Sequence, residues 1–319
     1  MQKQFDILGI GVSVCDIALV IDELPQEETV VRAKERSVGL GGGVAVAVAT
    51  AGVLGGSVAL ADQLGLDPMS DMIVSVLERA SVDLRCLNRS DEHMASVASV
   101  FVKEATRSRT IVFAPGIQSE LRWTDEMATL VSDSRIIHMT GRHKEVCQNA
   151  IHVAKQNDVL VSFDGGAHRY REEVMPFARE SDVLIVAEHF ARSHWKATHP
   201  RDSQSQISQL PAKDLVEFFA SDFNAQIVGV TCGEQGSWLM TRDREPWHQR
   251  AVPVRPVRDT TGCGDSFHGA FLLGLAKGMD PVACGELASL VAAKNAETLG
   301  SFAIEKHRED PGIRDALTR

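Results

Sequence analysis

From about residue 124 to residue 231, short apolar runs alternate with segments of helical spacing. No other feature of the chain restricts its fold as much. The runs are 135–139, 159–163, 182–186 and 226–231. Strands that alternate with helices form a mostly parallel sheet with helices on both faces. One intervening segment opens on Pro211 at a first helical position and carries apolar Leu215, Phe218 and Phe219, which predicts a helix. The polar stretch 198–209 reads as a surface loop.

The first third of the chain follows a different pattern. A buried strand is expected at 5–11, and four β-type runs occupy 17–21, 29–38, 95–102 and 108–113. In the second of these, Val31, Arg32, Ala33 and Lys34 alternate apolar with charged, as in a sheet with one solvated face. Between these runs, Gly41-Gly42-Gly43 leads into an Ala/Val stretch that is apolar all round, the pattern of a helix buried in a core. The reading is a single α/β domain over 1–319. A small β-sheet flap forms from about 17–38 and 95–113. No internal repeat or low-complexity tail interrupts it.

Composition limits the partners. With 319 residues and 44% hydrophobic side chains, the chain can bury one large core. Its formal net charge of -10 argues against nucleic acid or an anionic membrane as the main partner. A polyphosphate ligand would then have to be held by local donors. The six cysteines are scattered with no C-x-x-C pair, which fits a reducing cytosol better than a disulfide framework or a zinc site. No secretory leader is expected, and the most apolar stretch, 44–60, is broken by Gly52, Gly55 and Gly56 and is too short to span a bilayer. The expected location is cytoplasmic.

The segment with the most chemistry is Asp259-Thr260-Thr261-Gly262-Cys263-Gly264-Asp265-Ser266-Phe267. Gly262 and Gly264 allow a tight turn with amides pointing one way, and a helix begins at once. Helix N-terminal amides and the helix dipole make an anion site. A carboxylate beside such a site repels phosphate. It is well placed to take a proton from a hydroxyl lined up on that phosphate, and Asp265 is therefore the candidate base.

This segment strongly resembles the C-terminal signature of the ribokinase-like (PfkB-type) carbohydrate kinases, D-T-x-G-A-G-D-x-F. The resemblance implies that Gly262, Cys263 and Gly264 form an anion hole and that Asp265 is the catalytic base. Cys263 stands in place of the usual Ala, and its thiol, at a helix N-terminus, is expected to have a lowered pKa. Asp259 would serve a monovalent ion or a structural role.

Other motifs follow in family order. Gly41 and Gly42 resemble the Gly pair that approaches the sugar, with Val46 where a helix Asn is usual. A dinucleotide-binding reading of Gly9-Ile10-Gly11 fails, because residue 14 is Val and no helix follows directly. Asp16 instead matches the family's substrate-binding Asp, and a carboxylate can accept hydrogen bonds from two vicinal hydroxyls. At Ala187-Glu188-His189-Phe190, Ala187 and Phe190 replace Asn and a second acid, leaving Glu188 as the candidate for the outer shell of a metal. Residues 136–142 and 106–112 resemble the ketohexokinase branch, and Arg142 is a candidate to meet a phosphate. Thr231, Gly233 and Gly236 resemble the nucleotide-side turn, and Ala293 and Asn295 would line the adenine pocket.

The resemblance thus implies a three-layer α/β/α sandwich with a β lid, using ATP, Mg²⁺ and a monovalent cation. The expected reaction is phosphorylation of a sugar hydroxyl, first of all on a ketose. Ribose, 2-keto-3-deoxygluconate, a sulfosugar or a nucleoside stays open as acceptor, as does a catalytically silent sugar- or nucleotide-binding role. A homodimer through the lid is implied. No Walker A sequence is present, and the eleven histidines show no metal spacing.

Overall fold

The computed structural model describes residues 3–116 and 119–318. A ten-stranded sheet forms its centre. Six neighbouring strands run parallel in the order Val58–Leu64, Phe5–Ile10, Ser134–Met139, Leu160–Gly165, Val183–Ala187, Ile227–Thr231. The hairpin Ser237–Thr241 and Arg244–Gln249 adds two antiparallel strands beyond the last of these.

The parallel strands are mostly apolar because both faces are covered. Alternate residues serve opposite cores, following the period of two along a strand. Ile7, Ile136, Val183 and Ile185 join one cluster with Val44, Phe271 and Leu287 from the covering helices. Leu8, Ile137, Leu184 and Val186 join the other, with Leu130, Val146 and Phe219. The result is a sheet sandwiched between two helical layers, as the alternating pattern leads one to expect.

The second sheet has four strands in the order Glu35–Gly41, Val14–Ile21, Ser96–Lys103, Arg109–Ala114. Its middle pair is parallel and its outer pairs are antiparallel. Residues along Ser96–Lys103 alternate strictly between buried and half-buried, and Val14, Ala18, Val20, Ala98, Val100 and Val102 form a small core of their own with Leu299.

Three local expectations are corrected. Strand structure within 29–38 begins only at Glu35 and runs on to Gly41; the alternating residues Val31 to Lys34 lie in an irregular segment, since alternation without a paired partner forms no ladder. The polar stretch 198–209 contains a helix, Gln204–Gln209, closed by a capping box in which Ser203 and Gln206 each bond the other's backbone. Pro211 is the N-cap of the helix Ala212–Asp222 and not its first residue.

Candidate active site

Two helices begin at glycines that only a residue without a Cβ fits well. Gly42 caps the helix Gly43–Val53 at φ 90°, and Gly262 caps the helix Cys263–Ala276 at φ 74°. Neither helix has a side-chain cap, so no side chain claims their first amides. Sterics reinforce the requirement at Gly262, where a Cβ would stand 1.9 Å from the carbonyl oxygen of Ser301.

The two helix starts meet at Asp265. A methyl group on Gly43 would lie 3.0 Å from Oδ1 of Asp265 and 2.6 Å from Nη1 of Arg169. Burial raises the Asp265 carboxyl above its ordinary range, while Arg169 acts in the opposite sense. Arg169 follows the strand Leu160–Gly165, whose Asp164 accepts a hydrogen bond from Arg169 Nη1 at 3.0 Å. On its other side Asp164 Oδ1 lies 3.3 Å from Nε2 of His268, one turn beyond Asp265 on the same helix. Burial alone would push Asp164 up; His268 and Arg169 together hold it well below the usual carboxylate range.

Asp16 occupies the neighbouring wall, on the lid strand Val14–Ile21. It is buried and accepts a hydrogen bond from the Ser301 hydroxyl. Gly41 lies against it, so close that a Cβ there would stand 2.1 Å from Asp16 Oδ1. Burial raises the Asp16 carboxyl to about 6, against the Ser301 bond and with added repulsion from Asp265 and Asp259. Asp16 faces Gly41, Asp265 faces Gly43, and the two carboxyls are near enough to act on each other.

The small sheet is fastened to the turn before the helix Cys263–Ala276. Arg109, on its edge strand, donates from Nη1 to Thr260 Oγ1 at 2.7 Å, and Glu35 pairs with Arg258. Arg109 also acts electrostatically on Asp265.

Other residues singled out by sequence occupy different settings. Asp259 is buried and accepts from Thr261 N, Thr261 Oγ1 and Gly300 N at 2.8, 2.6 and 3.0 Å; these bonds brace the turn. Asn295, read as lining the adenine pocket, is fully buried. Its Nδ2 donates to Thr261 O and Ser301 O, and its Oδ1 accepts from Ala303 N and Ile304 N. Those four bonds use the amide's full capacity, so Asn295 holds the turn and has nothing left for a ligand. Ala293 is buried beside it on the helix Pro281–Ala296. Val46 is fully buried within the apolar core cluster.

The thiol of Cys263 departs from expectation. Burial pushes it up to about 12, against a contact from Asn295 Nδ2 at 3.9 Å from the sulfur. Arg142 is exposed beyond the strand Ser134–Met139; the arginine beside Asp265 is Arg169.

Ala187 pairs with Thr231 across adjacent strands, which sets Glu188 beside the turn Gly233–Gln235. Within that turn Cys232 N donates to Gly236 O at 2.7 Å, and Gly233 is exposed. Glu188 accepts from Arg192 Nε at 3.2 Å. Among the described residues, no group of three or more His, Cys, Asp or Glu side chains could hold a metal ion, and no helix is long and apolar enough to cross a membrane. All six cysteines are free.

Sequence reading missed Arg169, Asp164, His268, Ser301 and Arg109. Only the first two carried a local signal, as charged residues flanking the glycines at the end of an apolar run.

Comparison with known proteins gives a consistent set of matches. The family described as pfkB family carbohydrate kinase matches residues 5–306. An uncharacterized sugar kinase of Archaeoglobus fulgidus is 28% identical over 255 residues, 78% of this chain and 94% of that one. A deoxyribokinase of Salmonella typhi is 27% identical over 269 residues, 83% of this chain and 84% of that one. The structure of Arabidopsis thaliana ribokinase complexed with ribose and ATP superposes with a TM-score of 0.79 at 22% identity, covering 100% of both chains.

Proposed function

The chain belongs to the pfkB family of carbohydrate kinases, and from that premise we propose that it transfers the γ-phosphoryl group of ATP to a hydroxyl of a ketose or related small carbohydrate, with Asp265 as the base. The meeting of Asp265 with both helix starts and with Asp16 carries this reading.

Asp16 accepts hydrogen bonds from the acceptor's hydroxyls, and Gly41 leaves room for it to do so. Asp265 takes the proton from the attacking hydroxyl. The amides at Gly262, Cys263 and Gly264 hold the negative charge that develops on the phosphoryl group. The lid, carrying Asp16 and fastened by Arg109 and Glu35, keeps water from attacking in the acceptor's place. Thr231, Gly233 and Gly236 flank the nucleotide. Ala293 stands behind the turn, next to Asn295.

The described residues do not fit a metal cage, and Glu188 is tied to Arg192. Mg²⁺ would arrive on the phosphates of ATP with Glu188 as an outer-shell neighbour, and no step above depends on it. The three bonds that Asp259 accepts support a structural role over a monovalent-ion site.

Free thiols at all six cysteines support a cytoplasmic setting. The lid's edge strand Arg109–Ala114 leaves Ile111, Val112 and Phe113 about half exposed, which supports pairing of two lids in a homodimer. Light scattering on the purified protein reads that directly.

A panel of ketoses, aldoses, deoxysugars, sugar acids and nucleosides, assayed for coupled ADP release, tests the function. Release above the hydrolysis background with a ketose supports the proposal. Release with none supports a silent sugar- or nucleotide-binding protein, the reading that buried Val46 and the engaged Glu188 favour.

A further inference from the structure

Arg169 has the contacts of a residue waiting for an anion. A guanidinium has five N–H donors; among the described residues the side chain of Arg169 makes one hydrogen bond, from Nη1 to Asp164. Its side chain is 40% exposed, while that of Asp164 beneath it is 5% exposed. The anchor is thus buried, while the arginine above it is part-exposed. The guanidinium lies over Gly43, at the start of one helix, and beside Asp265, at the start of the other.

The anchor continues below. Asp164 is shared between Arg169 and His268, whose Nε2 lies 3.3 Å from Oδ1. His138 closes the back, its ring centroid 5.3 Å from that of His268 and its Nδ1 3.0 Å from Ser162 Oγ. Burial keeps the His138 ring neutral at ordinary pH, so it adds no competing charge. An arginine needed only for folding would be expected to have its donors engaged and its head covered. Here Asp164, itself shared with His268, holds the guanidinium through Nη1, and Asp265 lies near enough to act on it electrostatically.

Resting on the kinase reading above, we infer that Arg169, held through Asp164 by His268, is the cationic group that contacts the transferring phosphoryl group. In the step it serves, the acceptor oxygen bonds to the γ-phosphorus as the bond to the β,γ-bridging oxygen breaks. That electron pair leaves with ADP, and the hydroxyl proton passes to Asp265. Arg169 exchanges no proton; its N–H groups bond the non-bridging oxygens, where negative charge is spread. Asp164 and His268 are positioning residues, acting only through the guanidinium.

Calorimetric titration of the full chain with Mg·ADP and with the Mg complex of β,γ-imido-ATP tests this without an acceptor. Arg169→Met is expected to weaken the imido analogue at least tenfold and ADP less than threefold. Arg169→Lys, which keeps a counterion for Asp164 and guards against misfolding of the methionine variant, is expected to lower the analogue-to-ADP preference at least threefold. His268→Gln retains a donor toward Asp164 and is expected to stay within twofold of the unsubstituted protein; His268→Leu, which fills the space without donating, is expected to lose at least threefold in the same ratio. An unchanged ratio in both Arg169 variants overturns the inference. Failure of the unsubstituted protein to bind either nucleotide removes the kinase reading, and this inference with it. Failure of the acceptor panel alone leaves the nucleotide measurement standing.

Discussion

The Ser301 hydroxyl donates a hydrogen bond to Asp16 across 285 residues of sequence, joining the loop after the last long helix to the lid strand. Asp265 and Asp259 both act on the same carboxyl. Asp16 therefore sits in a buried, negatively charged corner with one hydroxyl as its fixed partner. That relationship makes it both a reader of hydroxyls and a cost to folding.

The cost has a defined pH window. Burial raises the Asp16 carboxyl to about 6 from a model-compound value of 3.8. Below pH 3.8 the group is protonated in both states and there is no penalty. Between those values the folded state holds the proton more tightly, so stability falls as pH rises, and above about 6 the full penalty is present. By the usual conversion it amounts to roughly 3 kcal/mol at most. Asp16→Asn keeps an acceptor for Ser301 and is expected to raise the melting temperature at pH 7.5 but not at pH 4, while abolishing acceptor binding. Scanning calorimetry of both proteins at the two pH values reads the difference.

Gly41 tests the same corner by sterics alone. A Cβ at 2.1 Å from Asp16 Oδ1 must displace the carboxylate, because real contacts of this kind are never so short. Gly41→Ala is expected to raise the acceptor KM at least tenfold and leave nucleotide affinity within about threefold, the signature of lost ground-state positioning. A steady-state comparison with each substrate varied in turn provides the check.

Cys263 is expected to be chemically quiet. With its thiol pushed up to about 12, about one in ten thousand is ionised at pH 8. Mass spectrometry after brief iodoacetamide treatment of the native protein is expected to find this residue unmodified. Cys263→Ala is expected to retain turnover within about threefold, because the turn offers backbone and not side chain.

These residues also show where sequence is sufficient. The turn from Asp259 to Asp265 is readable because all its chemistry is local: two glycines, a helix start and two carboxylates lie within seven positions. The parallel sheet is readable for a similar reason, since the period of two and the helical spacing are properties of short windows. Arg169, Asp164, His268 and Ser301 are a different case. Asp164 and Arg169 come from one strand and the residues just after it, Ser301 from the last loop, and His268 from the helix that carries Asp265, and only the packed fold brings them together. Asn295 marks the opposite failure. The resemblance puts it in the lining of the adenine pocket, whereas in the structure four backbone bonds engage its amide, which no spacing discloses. The helix Gln204–Gln209 did leave a trace, the Ser203 and Gln206 spacing of a capping box, hidden within a polar stretch.

Asp265 remains the centre of the account. Coupled ADP release and calorimetric nucleotide titration on Asp265→Asn test it most directly, using whichever acceptor the unsubstituted protein phosphorylates. The account predicts that turnover falls by at least about a thousandfold, the upper part of the range for removing a positioned base, while Mg·ATP affinity stays within about threefold. Turnover within tenfold of the unsubstituted protein would contradict it.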